Sequence, residues 1–404
     1  MSLNGAACIV GAYEHPTRKA DDLSVVRLHA DVAKGALDDA GLSKSEIDGY
    51  FCAGDAPGLG TATVAEYLGL KLRHIDSTEC GGSAPILHVA HAAEAIAAGR
   101  CNVALITLAG RPRAQMAAAQ AAAKAGGVKA PLALKPPDPD APELAFELPY
   151  GPATQNLYAA VARRHMHEFG TTSEQLAWIK VAASHHAQHN PHAMLRDRVT
   201  VEDVLNSPLV SDPLHRLDCC VMSDGGGALI VARPEIAREL ARKNGRPVVR
   251  VRGTGEAPKH GMGGQIDLTW SAAAWSGPMA FAEARVRPAD IQYASLYDSF
   301  TITVLMQLED LGFCDKGQGG RFVMDGNLIS GVGKLPFNTD GGGLCNNHPA
   351  NRGGITKVIE AVRQLRGEAH PEVQVPNCHL ALASGIGGAL ASRHTAGTLI
   401  LERV

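Results

Sequence analysis

Aromatic residues are scarce in this chain. Phe, Trp and Tyr together make up 4% of its 404 residues, against 44 glycines. A core built mainly on rings is excluded, and close packing of backbone on backbone with glycine-rich loops is favoured. Charge of one sign is lacking too: 38 Lys and Arg against 41 Asp and Glu leave a formal net charge of −3. No strong field therefore points to nucleic acid or an acidic membrane surface. No apolar run approaches membrane-spanning length. The run Met1-Ser-Leu-Asn-Gly-Ala-Ala-Cys-Ile-Val-Gly11 has no basic region before its apolar stretch and leads into a strand pattern, so no signal peptide is expected. Paired cysteines are also missing. The nine cysteines are scattered, none forms a CxxC pair, and the adjacent Cys219 and Cys220 suit neither metal spacing nor an easy disulfide. The expectation is a cytoplasmic protein with reduced thiols and no resident metal.

What is present is a cysteine in an unusual setting. Cys80 lies in His74-Ile-Asp-Ser-Thr-Glu-Cys-Gly-Gly-Ser-Ala-Pro85, ahead of an alanine-rich run to Gly99 and a strand-like Asn102–Leu108. A cysteine at a helix start has its thiolate favoured by the helix dipole and by free backbone N–H groups. Ser83 is expected to cap that helix, and Pro85 fits its first turn. The bland alternative is a packing thiol, the commoner fate of a free cysteine.

The first half alternates strand and helix: Ala7–Ala12, then Leu23–Ala40, Ile47–Ala53, Ala62–Leu68, and the Cys80 helix with its following strand. That alternation predicts an α/β layer architecture. Ala114–Ala125 reads as low complexity and Leu132–Pro152 as a proline-rich, acidic surface excursion. Helical spacing over Ala153–Phe169 and Ser173–His189 completes an inserted, mainly helical region at about 110–215. Asn244-Gly-Arg-Pro247 reads as the hinge, dividing the chain into 1–245 and 246–404. The second half repeats the first, with strands at Val248–Gly255, Ile291–Leu296, His379–Ala383 and Thr395–Leu401. Each half sets a reactive residue, Cys80 or His348, at the start of a helix with an apolar face.

Four segments, Cys80-Gly-Gly-Ser83, Tyr297-Asp-Ser-Phe300, Asn347-His-Pro349 and Ala383-Ser-Gly-Ile-Gly-Gly388, resemble in order and spacing the four catalytic loops of the thiolase superfamily. The sterol-carrier or lipid-transfer type of thiolase is the nearest match. The resemblance implies two βαβαβαββ halves related by a pseudo-dyad in a five-layer α-β-α-β-α fold. It implies a homodimer or homotetramer, an acyl-CoA substrate, no permanently bound cofactor, and an acyltransferase making or breaking a carbon–carbon bond through a Cys80 acyl-enzyme. On the same ground His348 polarises the nucleophile, with Asn347 beside it. Gly385, Gly387 and Gly388 offer backbone N–H groups to an oxyanion.

Departures from the pattern open alternatives. Tyr297 stands where many thiolases carry Asn, with Asp298 after it, and Ser384 stands where the second, acid/base cysteine is expected. A tyrosine also appears at this loop in steroid side-chain aldolase-like relatives. Those are retro-aldolases with a small zinc-containing OB-fold partner chain, so a β-hydroxyacyl-CoA retro-aldolase is the alternative, and a non-catalytic CoA-binding scaffold a third. Outside the site, His185 and His189 stand i,i+4 but lack the HExxH acid, and a polar helix end is the better reading.

Overall fold

The computed structural model describes residues 2–53, 56–127, 140, 153–259, 267–390 and 393–404. Its strands are β1 (Cys8–Glu14), β2 (Gly49–Cys52), β3 (His74–Asp76), β4 (Val103–Gly110), β5 (Leu209–Ser211), β6 (Leu214–His215), β7 (Gly225–Ala232), β8 (Val249–Lys259), β9 (Tyr293–Leu296), β10 (Leu380–Gly388) and β11 (His394–Arg403). Nine of them join in the order β3-β2-β4-β7-β1-β8-β11-β10-β9. Read outward from the β1–β8 junction, the halves mirror each other. The pairs β1–β7 and β8–β11 are antiparallel, as are β7–β4 and β11–β10, while β4–β2 and β10–β9 are parallel. This is the pseudo-dyad that the sequence echo suggested.

The symmetry is incomplete. The N-terminal half adds β3 outside β2, but the C-terminal half has only an isolated bridge between Ala294 and Phe337 at the matching place. The amide of Asn338 does the remaining pairing: its Nδ2 donates to the Leu296 carbonyl and its Oδ1 accepts from the Leu296 N–H, both at 2.8 Å. With Ala294 paired to the backbone of Pro336 and Asn338, and Leu296 to one side chain, a full strand is unnecessary there.

Helices complete five layers. Val25–Ala40 covers β1, β4 and β7 on one outer face, and Ala273–Ala284 covers β8 and β11 on the other. Between them, Ala84–Ala97 and Gly354–Arg366 pack on each other and on strands of both halves. A helix buried on all sides needs small residues to let its neighbours close in, which explains the alanine run after Cys80. Its fully buried members, Ala92, Ala93 and Val89, share one core with Ile355, Val358 and Ile359.

Two expectations are corrected. Ala114–Ala125 belongs to a regular helix, Pro112–Ala125, whose first turn is held by Asp224: its Oδ1 accepts from the N–H groups of Arg113 (2.9 Å) and Ala114 (3.2 Å). Ser384 and Gly385 lie within β10, between β9 and β11, and not in a loop. The excursion at 132–152 falls outside the described residues, Asp140 excepted. The inserted region contributes the helices Thr154–Phe169, Ser173–Ala187 and Val201–Leu205 and the β5–β6 hairpin. No helix among the described residues is long and apolar enough to cross a membrane.

Candidate active site

Four segments converge because glycines remove the atoms that would hold them apart. Gly81 adopts a left-handed φ of 64°, and a Cβ there would come within 2.9 Å of Gly387 Cα and Gly388 N. Gly82 lies against the Tyr297 ring and the Ile386 carbonyl, so any side chain would collide with both. Its own carbonyl lies against Gly354, the first residue of the helix that follows His348. The Cys80 turn is thereby packed against the Tyr297 segment, the β10 glycines and the His348 loop.

Cys80 is half-buried and precedes a short 3₁₀ turn, Gly81–Ser83. Ser83 does not cap the helix. Its Oγ donates to the Cys80 carbonyl at 2.7 Å and lies 2.7 Å from Thr395 Oγ1, which itself donates to that carbonyl at 3.1 Å. These bonds fix the backbone of the cysteine. Pro85 does occupy the first turn. The thiol is not activated as a helix start suggested. Burial pushes it up, and the carboxylates of Glu79 and Glu256 push it further. Beside burial, Glu79 works against the dipole, because its Oε1 already accepts the Gly81 N–H at 2.8 Å and its charge disfavours the thiolate.

Tyr297 is buried, with its ring edge-on to His348 at a centroid distance of 5.4 Å. Its hydroxyl donates to the Ala350 carbonyl at 3.3 Å. Burial, with Cys220, Tyr158 and Asp298 nearby, holds the phenol well above its usual range, so it keeps its proton at neutral pH. His348 is pushed down to about 4, chiefly by burial, so its imidazole is neutral at pH 7. Its Nε2 is buried and, among the described residues, has no hydrogen-bond partner, and neither has the buried Ser384 Oγ. Two such atoms in segments that pack on one cysteine turn are unusual in a folded interior, and a substrate's polar groups would satisfy them.

Asp298 sits in the segment but is spent on structure. Its Oδ1 accepts from Lys357 Nζ (2.7 Å) and Gly343 N (2.8 Å), and its Oδ2 from Leu344 N (3.1 Å). These three accepted bonds tie it to the turn before His348 and to the helix Gly354–Arg366. Asn347 is buried and bonds to Ser223 and Glu14. Gly387 lies under the Cys80 carbonyl, so the glycines' first role is close packing.

Sequence reading missed Tyr158 and Lys357. Tyr158 comes from the inserted region, stacks on Phe300 at 4.4 Å and donates to the Gly388 carbonyl at 3.1 Å. No local pattern marks it. Lys357 is a buried cation inside a helix whose apolar face looked complete without it. The histidine pair of the inserted region holds no metal-like group: His185 Nε2 meets Arg198, and His189 stacks on His370 at 4.9 Å. Among the described residues no cluster of His, Cys, Asp or Glu is arranged to hold a metal ion.

Comparison with known proteins agrees with this geometry. A family model described as "Thiolase C-terminal domain-like" matches residues 255–403. The chain is 36% identical to a steroid side-chain-cleaving aldolase of Thermomonospora curvata over 90% of this chain and 91% of that protein. It is 32% identical to an acetyl-CoA acetyltransferase of Methanothermobacter thermautotrophicus, over 91% of this chain and 92% of that one. Among solved structures, the Ltp2-ChsH2(DUF35) aldolase superposes with a TM-score of 0.86 at 32% identity, covering 99% of this chain and 98% of that one. Mirrored halves, converging loops and relatives matched over nearly their whole length lead to one assignment: the chain belongs to the thiolase superfamily.

Proposed function

We propose that this protein makes or breaks a carbon–carbon bond in the acyl chain of a coenzyme A thioester, with Cys80 carrying the acyl group. The observation that supports this is the side-chain-free contact of the Cys80 turn with the Tyr297 ring and the β10 glycines. The half-buried Cys80 and, without partners among the described residues, the buried His348 Nε2 and Ser384 Oγ belong to the segments that meet there, which supports the reading. In the cleaving direction, Cys80 Sγ adds to the 3-keto carbon of a 3-ketoacyl-CoA. The thiol proton passes to neutral His348. The C2–C3 bond breaks, its electron pair leaves with C2 as an enolate, and the remaining acyl group stays on sulfur as a thioester. A second CoA thiol then takes that acyl group and returns a proton to the enzyme. C2 needs a proton, and in place of a second cysteine the Tyr297 phenol supplies it. On this reading the enzyme is an acyltransferase that needs no permanently bound cofactor.

One observation favours a second reading. Glu79 and Glu256 disfavour the Cys80 thiolate, and a retro-aldol cleavage of a β-hydroxyacyl-CoA needs no thiolate. A base takes the β-hydroxyl proton, the C2–C3 bond breaks, and an aldehyde or ketone leaves while C2 is protonated. The Tyr297–His348 pair would serve that step.

Substitution separates the two. Cys80→Ala is expected to abolish cleavage of a 3-ketoacyl-CoA, whereas Tyr297→Phe should cost ~10²–10⁴-fold in either mechanism. Full β-hydroxyacyl-CoA cleavage by Cys80→Ala, with none by Tyr297→Phe, would establish the second reading. The Ltp2 structure contains a DUF35 chain. We extend to this protein a small partner chain, zinc-containing and OB-fold as the sequence resemblance implies, and a homodimeric or tetrameric core, so assays belong both with and without such a partner.

A further inference from the structure

The carboxylate of Glu14 lies at the end of β1, in the opposite half of the chain from His348, yet the loop carrying His348 hangs from it. Glu14 Oε1 accepts from Asn346 Nδ2 at 3.2 Å and from Asn347 Nδ2 at 3.0 Å. Arg18 Nη2 donates to the same oxygen at 2.7 Å, and Arg363 Nη1 donates to Oε2 at 3.2 Å. Asn346 is held from its other side as well. Its Oδ1 accepts from Arg18 Nη2 at 2.7 Å, while its Nδ2 also reaches Asp340 Oδ2 at 2.9 Å.

The bonds run on to the histidine in one sense only. An ionised carboxylate accepts and never donates, so each asparagine must present its NH₂ to Glu14. Asn347 is then left with its carbonyl oxygen facing Ser223, whose Oγ donates to it at 2.6 Å. That spends the single hydroxyl proton. The Ser223 oxygen must accept from its other neighbour, which is the backbone N–H of His348 at 2.9 Å. Each link is buried or partly buried, so water competes weakly.

We infer that Glu14 is a positioning residue for His348, acting through Asn346, Asn347 and Ser223 to fix the backbone that aims the imidazole at the Cys80 turn. The inference deepens the proposed function and rests on it for the role of His348. Arg18 and His15 from the same segment, Arg363, Glu360 and Lys357 from the helix Gly354–Arg366, and Asp340 from the turn before His348 are charged or titratable groups around the carboxylate. Burial opposes its ionisation, but Arg18 and Arg363 outweigh that and keep it charged. A cavity of about 220 Å³ is lined by Glu14, Arg18, Asp340, Glu360 and Arg363, so the carboxylate that holds the loop also borders a space water can enter.

The test is Glu14→Gln, which keeps the shape and removes the charge. Its primary readout is the titration of the His348 imidazole by NMR of histidine-labelled protein, with the signal assigned by its loss in His348→Ala. Asp39→Asn is the control. Asp39 is a partly buried carboxylate bonded to Ala12, Arg246 and Arg366, off the His348 loop. In Glu14→Gln the loop should admit water, and the His348 titration should move up by ~1 pH unit as desolvation is relieved. In Asp39→Asn it should stay at the wild-type value. In turnover assays kcat should fall ~10–100-fold, as for a small misplacement of a reacting group, with KM nearly unchanged. If Glu14→Gln does not fold, Asn347→Ala cuts the chain one link later and must produce the same shift. An unchanged His348 titration in whichever of these variants folds, or an equal shift in Asp39→Asn, would overturn the inference. A shifted titration in a protein whose wild type cleaves no CoA thioester would leave the positioning intact and remove the proposed function.

Discussion

A helix start does not by itself make a cysteine acidic, and Cys80 shows why. The N–H groups that would stabilise a thiolate are shared with Glu79, whose carboxylate takes the Gly81 N–H. Replacing Glu79 by Gln removes that charge and should speed alkylation of Cys80 by iodoacetamide at pH 7.5 several-fold, read by peptide mapping. An unchanged rate would show that burial alone sets the thiol. Even in the wild type Cys80 should be the first thiol labelled. Cys219 and Cys314 are pushed up to about 12 by burial, and Cys220 higher still. Short motifs made Cys80, Tyr297, His348 and Ser384 legible as positions in the converging segments, and their roles remain the proposal. Asp298 was legible as a position but not as a role, since only the fold brings Lys357, Gly343 and Leu344 to it. Tyr158 and Glu14 act across more than 200 residues of chain, and no spacing rule reaches that far.

At the scale of elements, the site is built by close backbone approach. Gly387 in β10 has its α-carbon against the Cys80 carbonyl. Gly387→Ala should therefore cost ~1–3 kcal/mol, as overpacking does, and should lower activity by displacing the Cys80 turn. Denaturant unfolding with parallel assays checks both. Full stability with full activity would mean that β10 and the Cys80 turn can separate without consequence. Period and punctuation gave most strands and helices of the sheet, with ends off by a few residues. The alanine-rich Pro112–Ala125 was misread because an alanine run looks like low complexity until an anchor such as Asp224 is seen to hold its first turn. The glycine run of β10 was misread as a loop because glycine usually breaks strands. Here neighbours on both sides leave no room for anything larger.

For the whole molecule, buried neutral histidines set the response to acid. His348 and His88 are pushed down to about 4 and His29, His186 and His394 to about 3, in each case chiefly by burial. Each binds its proton more readily in the unfolded chain, with an ordinary value near 6.5, than in the folded one. Their contribution to stability is present above that value and is lost as pH falls toward 4, at up to ~1.4 kcal/mol per group per pH unit. His91 has the opposite sign. Bonds to Asp76 and Glu256 raise it to about 10, so its smaller, partly solvent-screened contribution is present below pH 6.5 and is lost as pH rises toward 10. Thermal unfolding should show Tm dropping steeply between pH 6.5 and 4. A flat profile would contradict the burial of these rings. The edge strand β3 carries β2 on one side and, among the described residues, no strand on the other. Unpaired edges invite pairing with a second copy, and light scattering should give at least twice 42.3 kDa. A stable monomer at micromolar concentration would leave that edge unexplained.

The account turns on a carbon–sulfur bond at Cys80. Intact-mass spectrometry after mixing the protein with a 3-ketoacyl-CoA, with and without a DUF35-type partner, looks for that bond directly. The account predicts a mass increase equal to the shortened acyl group, mapped to the Cys80 peptide and absent from Cys80→Ala. Cleavage of the thioester substrate at full rate by Cys80→Ala, with no adduct on the wild type, would contradict it.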